Sequence, residues 1–139
     1  MKEDSINSIN APEPVGLYPH ARRVGNLLFL SGVGPRQRGT KQIPGVELSE
    51  TGEIISYDIE KQCRSVFQNV RYILDDAGSS WERIVDVTVF LTNIREDFST
   101  YNRIYAEYFA DSQPCRTTVE VNNLPTPIAI ELKVIATID

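Results

Sequence analysis

Two short alternating segments near the C-terminal end carry the residues whose types and spacing could do chemistry. In residues 116–121, Thr117, Val119 and Val121 form one side, while Arg116, Thr118 and Glu120 form the other. In residues 128–138 the apolar set is Ile128, Ile130, Leu132, Val134, Ala136 and Ile138, with Ala129, Glu131 and Lys133 turned away. If the segments pair as a hairpin through 122–127, their apolar sides must lie together. Arg116 and Glu131 then share the polar face. On pattern alone this is a cross-strand ion pair worth roughly 0.2–1 kcal/mol. A second concentration of chemistry lies upstream. No acidic residue occurs between Glu13 and Glu47, yet the single histidine His20 and Arg22, Arg23, Arg36, Arg38 and Lys41 all fall there. That stretch is either a solvated basic edge or a local site for a small anion in an otherwise acidic chain.

Other chemistries are poorly served by this residue set. Two cysteines, Cys63 and Cys115, cannot build a disulfide framework for a domain of this size. One histidine and no C-x-x-C leave no basis for structural zinc. No serine sits in a nucleophile-elbow context that could pair with His20. The G-V-G at residues 32–34 runs into Pro35 and lacks the third glycine of a dinucleotide fingerprint. The expectation is therefore no metal and no cofactor.

These residues need a scaffold, and the composition bounds it. The chain has 139 residues, 41% hydrophobic and 24% charged, which suits one globular domain spanning 1–139 with a real core. The longest apolar runs are far too short to cross a bilayer, and residues 1–11 are polar and mixed in charge, unlike a signal or transit peptide. A cytoplasmic protein is the expectation. A formal net charge of −5 opposes non-specific binding to nucleic acid or to anionic membranes, both of which need a basic surface.

Residues 21–24 and 27–31 read as two strands joined at Gly25-Asn26, a pair that tolerates positive φ. Residues 32–55 should be mostly loop, with a short strand near 53–55. Ile59, Cys63, Val66, Phe67, Val70, Ile73, Leu74 and Ala77 recur at helical spacing, with Ser56 as N-cap and Gly78 at C′. Residues 84–91 alternate as a strand. A second helix over 97–109 buries Phe98, Tyr101, Ile104, Tyr105, Tyr108 and Phe109. The order strand–strand–helix–strand–helix–strand–strand describes an α+β domain, a mixed β-sheet with two helices on one face. Its other face is left without cover, so self-association is expected.

Several motifs together resemble one family. They are G-x-Y at 16–18, G-N-L-L-F-L-S-G at 25–32, D-V-T-V-F-L at 86–91 and Y-N-x-x-Y-x-x-Y-F at 101–109. With them go R-T-T-V-E-V-x-x-L-P from Arg116 and I-E-L-K-V-I-A ending at Ala136. In collinear order over nearly the whole chain they resemble the Rid (YjgF-like) family. The resemblance implies a chorismate-mutase-like fold assembled as a homotrimer, with intersubunit clefts as the sites. It also implies cofactor-independent hydrolysis of enamines and imines to keto acids and ammonia.

By that resemblance Arg116 would grip the substrate carboxylate, and Glu131 would position and help deprotonate the attacking water. Tyr18, Ser31 and Asn102 match cleft-lining positions, and the backbone of Thr118 would contact substrate or water. Many relatives have cysteine at the Thr118 position, whereas here the cysteine is Cys115. The longer basic loop after Ser31, with His20 in place of a common glutamine, resembles the 2-aminomuconate deaminases. Their substrate is a small dicarboxylate enamine, converted to 4-oxalocrotonate or its enol 2-hydroxymuconate. Its second carboxylate would fall to His20, Arg36 or Arg38, unless the loop merely packs on a neighbouring subunit. The alternatives are a general deaminase of 2-aminoacrylate-type intermediates and a non-enzymatic trimer that binds small carboxylates. Family members have also been credited with ribonuclease activity, which the acidic charge disfavours.

Overall fold

The computed structural model describes residues 4–139; residues 1–3, which open the polar stretch read above, lie outside the described residues. Strands β1 (Ser5–Ile6), β2 (Ala21–Val24) and β3 (Leu27–Leu30) come first, followed by a small hairpin of β4 (Val46–Leu48) and β5 (Ile54–Tyr57). Helix α1 (Ile59–Ala77), a 3₁₀ turn (Trp81–Arg83) and β6 (Ile84–Leu91) form the middle. Helix α2 (Ile94–Phe109), β7 (Cys115–Glu120) and β8 (Ile130–Thr137) complete the chain. One six-stranded mixed sheet runs in the order β1-β2-β3-β8-β6-β7, with β4-β5 apart from it.

The helices form for local reasons that the sequence shows in outline. Asp58, not Ser56, caps α1: its side chain accepts the Lys61 N–H, while Ser56 lies inside β5. Gly78 ends the helix at φ 88°, donating its N–H to Asp75 and Leu74 carbonyls. That left-handed geometry is cheap only for glycine. Helix α2 begins three residues earlier than the apolar stripe predicts, because Asn93 accepts the Glu96 N–H as its cap. The Glu120 carboxylate takes the Ile94 N–H at 2.8 Å, and an anion there suits the positive helix start. Phe67 of α1 packs edge-on against Trp81, Tyr105 and Phe109. This cluster locks the two helices together. Phe98 departs from the expected buried face of α2 and stays partly exposed.

The strand pairing corrects the main sequence expectation. Residues 116–121 and 128–138 do not form a hairpin. β7 pairs parallel with β6, and β8 runs antiparallel between β3 and β6. The route β6–α2–β7 is a strand–helix–strand crossover, which places its two strands side by side and parallel. The physical reason is the burial demand of each strand. Ile130, Leu132, Val134 and Ala136 of β8 are wholly buried, whereas β7 is exposed along most of its length. In the observed order apolar β8 lies inside the sheet and polar β7 at its edge.

The expected common face fails for the same reason. Arg116 is level with Val87, and Thr118 with Val89. Both valines are fully buried on the helix side. Glu131 is level with Phe90, on the opposite side of the pleat. That side has no helix over it, and it presents Leu27, Phe29, Phe90, Val119 and Ile135 with Glu131 and Lys133. Such a half-apolar open face is consistent with self-association.

The long loop expected after β3 is tied down by buried amides. Gln62 donates to the Pro44 carbonyl and accepts the Ala129 N–H. Asn69 donates to the carbonyls of Gly34 and Arg36, and Ser65 to that of Pro35. The β4–β5 hairpin is pinned to α2 by the Tyr57 hydroxyl, which donates to buried Asp97 at 2.6 Å. Burial and the adjacent Asp97 raise the Tyr57 phenol well above its ordinary value.

Candidate active site

The residues singled out by sequence fall into three groups. The first surrounds Arg116 on the helix side of the sheet edge. Its Nη1 donates to Asn102 Oδ1 at 2.8 Å, and its guanidinium lies over the rings of Tyr105 (4.7 Å), Tyr101 (5.4 Å) and Phe98 (5.9 Å). These partners recur along α2 at spacings of one face. The Y-N-x-x-Y pattern is therefore a bed on which one arginine is laid flat. Thr118 and the Tyr101 hydroxyl share a hydrogen bond of 2.8 Å. Burial pushes the Tyr105 hydroxyl up to about 12, and burial likewise raises that of Tyr101. Both rings therefore stay neutral and keep the electron-rich face that attracts a guanidinium. With Nη1 engaged, the remaining nitrogens of Arg116 offer donors for a planar, charge-assisted pair with a carboxylate.

The second group surrounds Glu131 on the open side. Its carboxyl is raised above the ordinary glutamate value by burial, and the Arg36 charge acts in the opposite direction. A carboxylate pushed upward in this way is a better proton acceptor. Gly32 makes room for it: a Cβ at this position would lie 2.8 Å from Glu131 Oε2. Ser31 follows β3 directly, and its hydroxyl donates to the Pro19 carbonyl at 2.7 Å. Next to this group, Tyr18, His20, Ser31, Gly32 and Arg36 line a small cavity of about 30 Å³ that Glu131 itself does not line, room for about one water molecule. The Tyr18 ring reaches it by folding back over Gly16, where a Cβ would meet the ring at 3.1 Å, and its hydroxyl accepts the Val15 N–H.

The third group is committed elsewhere. His20 is buried, its Nδ1 accepts the Ser8 N–H at 2.9 Å, and its Nε2–H donates to the Pro12 carbonyl at 2.7 Å. One neutral tautomer satisfies both bonds, so the ring is a clasp for the N-terminal segment. Arg38 performs the same service. It donates to the carbonyls of Ser8 and Ala11 and pairs with Glu13 at 3.3 Å. Arg36 is partly engaged through Nη2, which donates to the Glu13 carbonyl. The basic stretch is thus neither a free edge nor one anion site. Three of its six basic residues, His20, Arg36 and Arg38, fasten residues 8–13 to the body, while Arg23 bonds the Gly25 carbonyl.

Arg116 and Glu131 are far apart within one chain. They lie on strands flanking β6, three residues out of level and on opposite faces, which puts their Cα atoms roughly 14 Å apart at ordinary strand spacing. The largest cavity, about 810 Å³ between the 37–45 loop and α1, touches neither group. Among the described residues, no cluster of three or more His, Cys, Asp or Glu could hold a metal, and no helix is long and apolar enough to cross a membrane. Burial pushes the Cys63 thiol up to about 12, which makes it a packing residue. Cys115 is exposed on β7. Sequence reasoning missed Gly32 as a spacer and Tyr101, Tyr105 and Phe98 as the bed for Arg116. The spacing of those aromatics was the available signal, read as core alone.

Known proteins share this sequence pattern and fold over nearly the whole chain. The endoribonuclease L-PSP family model matches residues 8–138. A RutC family protein of Pyrococcus horikoshii is 43% identical over 136 residues, covering 98% of each chain. Reactive Intermediate Deaminase A, chloroplastic, of Arabidopsis thaliana is 36% identical over 138 residues, 99% of this chain and 67% of that one. The crystal structure of E. coli TdcF with bound serine superposes with a TM-score of 0.82 at 30% identity, covering 97% of this chain and 98% of the other. A match over almost the full length, in sequence and in fold together, places this chain in the Rid (YjgF-like, L-PSP) family.

Proposed function

We propose that the protein is a cofactor-independent hydrolytic deaminase of 2-imino acids and their enamine tautomers, with its site completed between protomers. The observation that carries this reading is the split of Arg116 and Glu131 onto opposite faces. Each is prepared for its task, and neither can reach the other in its own chain. Joining the Arg116 edge of one protomer to the Glu131 face of a second unites them, and a closed homotrimer, as the family resemblance implies, makes three such clefts. The likeness to Reactive Intermediate Deaminase A supports the reaction type. The serine held by TdcF, itself an α-carboxylate, supports the ligand class.

In the reaction, Arg116 holds the carboxylate so that the adjacent imine carbon faces Glu131. Glu131 takes a proton from water as the oxygen attacks that carbon, giving a carbinolamine. The proton taken from water passes to the imine nitrogen as the carbinolamine forms. The hydroxyl proton then moves through Glu131 to the same nitrogen, the C–N bond breaks to release ammonia, and the C–O bond becomes the keto group. Tyr18 and Ser31 border the Glu131 side, while Asn102 fixes the guanidinium plane and Thr118 lies beside it. Orientation and a positioned base supply the rate for a substrate that is already labile. The dicarboxylate 2-aminomuconate is a narrower reading that needs a second free cation. Of the three residues expected to supply it, His20 and Arg38 are committed to the N-terminal segment and Arg36 is partly so. The general imine substrate fits better.

Arg116→Ala and Glu131→Gln should each lose nearly all ammonia release from 2-aminoacrylate. Unfolded together and reassembled, a random mixture should regain about a quarter of the wild-type sites, because only pairs with an intact arginine facing an intact glutamate work. No recovery above the parents would refute the shared site. Wild-type rates in both variants would refute the assignment of the residues.

A further inference from the structure

The Arg116 bed has a second side. Where α2 ends, a cavity of about 420 Å³ is lined by Tyr105, Ala106, Phe109, Ala110, Pro114 and Arg116, with Gln113 the remaining contributor. Its volume falls within the range of about 300–1,000 Å³ typical of small-ligand pockets. The turn that shapes it is specially held. Gln113 is the only non-glycine residue at positive φ among the described residues (44°). Its N–H donates to the Phe109 carbonyl, and its side-chain amide to that of Ala110. A backbone strained in this way persists only where its surroundings enforce it. The cavity wall is methyl, ring and pyrrolidine surface, and Arg116 supplies its one charge.

We propose that this cavity receives the substrate's side chain, so that the preferred substrates are 2-imino acids with branched aliphatic or aromatic side chains. The inference rests on the deaminase reading above. A carboxylate paired with Arg116 lies beside a cavity that the same residue lines. The substituent on its α-carbon then has apolar surface to enter, whereas a second carboxylate would lose its water there and meet no further cation. Charge complementarity at one end and an apolar wall beyond it describe an amphipathic carboxylate. The smallest enamine, 2-aminoacrylate, leaves the cavity empty.

The test compares imines generated in situ by an amino-acid oxidase from alanine, leucine and phenylalanine, reading ammonia release. The wild-type kcat/KM should favour the leucine- and phenylalanine-derived imines over the alanine-derived one by about 10-fold or more, the scale of a few buried carbons. Ala106→Phe, which fills the cavity from the helix surface, should lower that ratio about 10-fold. Ala110→Phe provides the same test by an independent route. Product inhibition gives a reading without turnover: 4-methyl-2-oxopentanoate should inhibit more tightly than pyruvate, and Ala106→Phe should remove the difference. Equal rates for all three imines, or a ratio and inhibition unmoved in both variants, would overturn the pocket while leaving the deaminase intact. No ammonia from any imine would overturn the deaminase reading, and the pocket with it.

Discussion

Gly32→Ala offers the sharpest test of how Glu131 is placed. The added methyl would lie 2.8 Å from Oε2 and 3.1 Å from Cδ of Glu131. To reach ordinary contact the carboxylate must retreat by about 0.6 Å. The backbone is not the obstacle, since φ at Gly32 lies outside the left-handed region and an alanine fits there. A shift of 1 Å at a reacting group can cost about 100-fold, so a displacement of this size should cost on the order of 10-fold in kcat. Stability should hold or rise by about 0.4–1 kcal/mol through the stiffer unfolded chain. Ammonia release and thermal unfolding measured on the same preparation separate the two effects. The partner experiment combines Gly32→Ala with Glu131→Gln. If Gly32 acts only through Glu131, the double variant is no slower than Glu131→Gln alone. A wild-type kcat in Gly32→Ala, or a further 10-fold loss in the double variant, would refute the argument.

The remaining predictions concern charge and pH. Arg36 lowers the Glu131 carboxyl while burial raises it; Arg36→Gln should therefore move the acid limb of the kcat/KM profile to higher pH, and a limb that stays put or moves down would contradict the opposition. Tyr57→Phe removes the donor to buried Asp97 and should cost about 1.5–3 kcal/mol at neutral pH. Burial already raises Asp97, and the Tyr57 bond lowers it. The variant's Asp97 therefore sits higher still, and stability held below the ordinary carboxylate range is lost as pH rises through that raised value. The gap in Tm between wild type and Tyr57→Phe should be larger at pH 8 than at pH 4, and an equal gap would show that the hydroxyl is not answering a charge.

Much of this molecule was legible one segment at a time. The period of α1, the Gly25 turn and the Gly78 stop are local, because helix and turn preferences act within a few residues. The alternation of β8 likewise set which of its residues face inward, and Glu131 lies on the outer side as its pattern requires. The β4–β5 hairpin, the cap at Asp58 and the clasp at His20 were less visible. Their signals were single polar residues whose partners lie elsewhere in the chain.

What sequence alone could not determine was the neighbour of each strand. Alternation in 116–121 says that its two sides differ, but not which side meets the helices. An apolar side of Thr117, Val119 and Val121 would normally turn inward. The crossover through α2 instead delivers β7 to the sheet edge in register with Val87 and Val89, and so lays Arg116 on α2. The motif residues thus came from the sequence, while their separation onto two faces came only from the tertiary structure. Hydrogen-bond registry across a sheet is a long-range choice, won by the arrangement that buries β8 at the centre and leaves polar β7 outside.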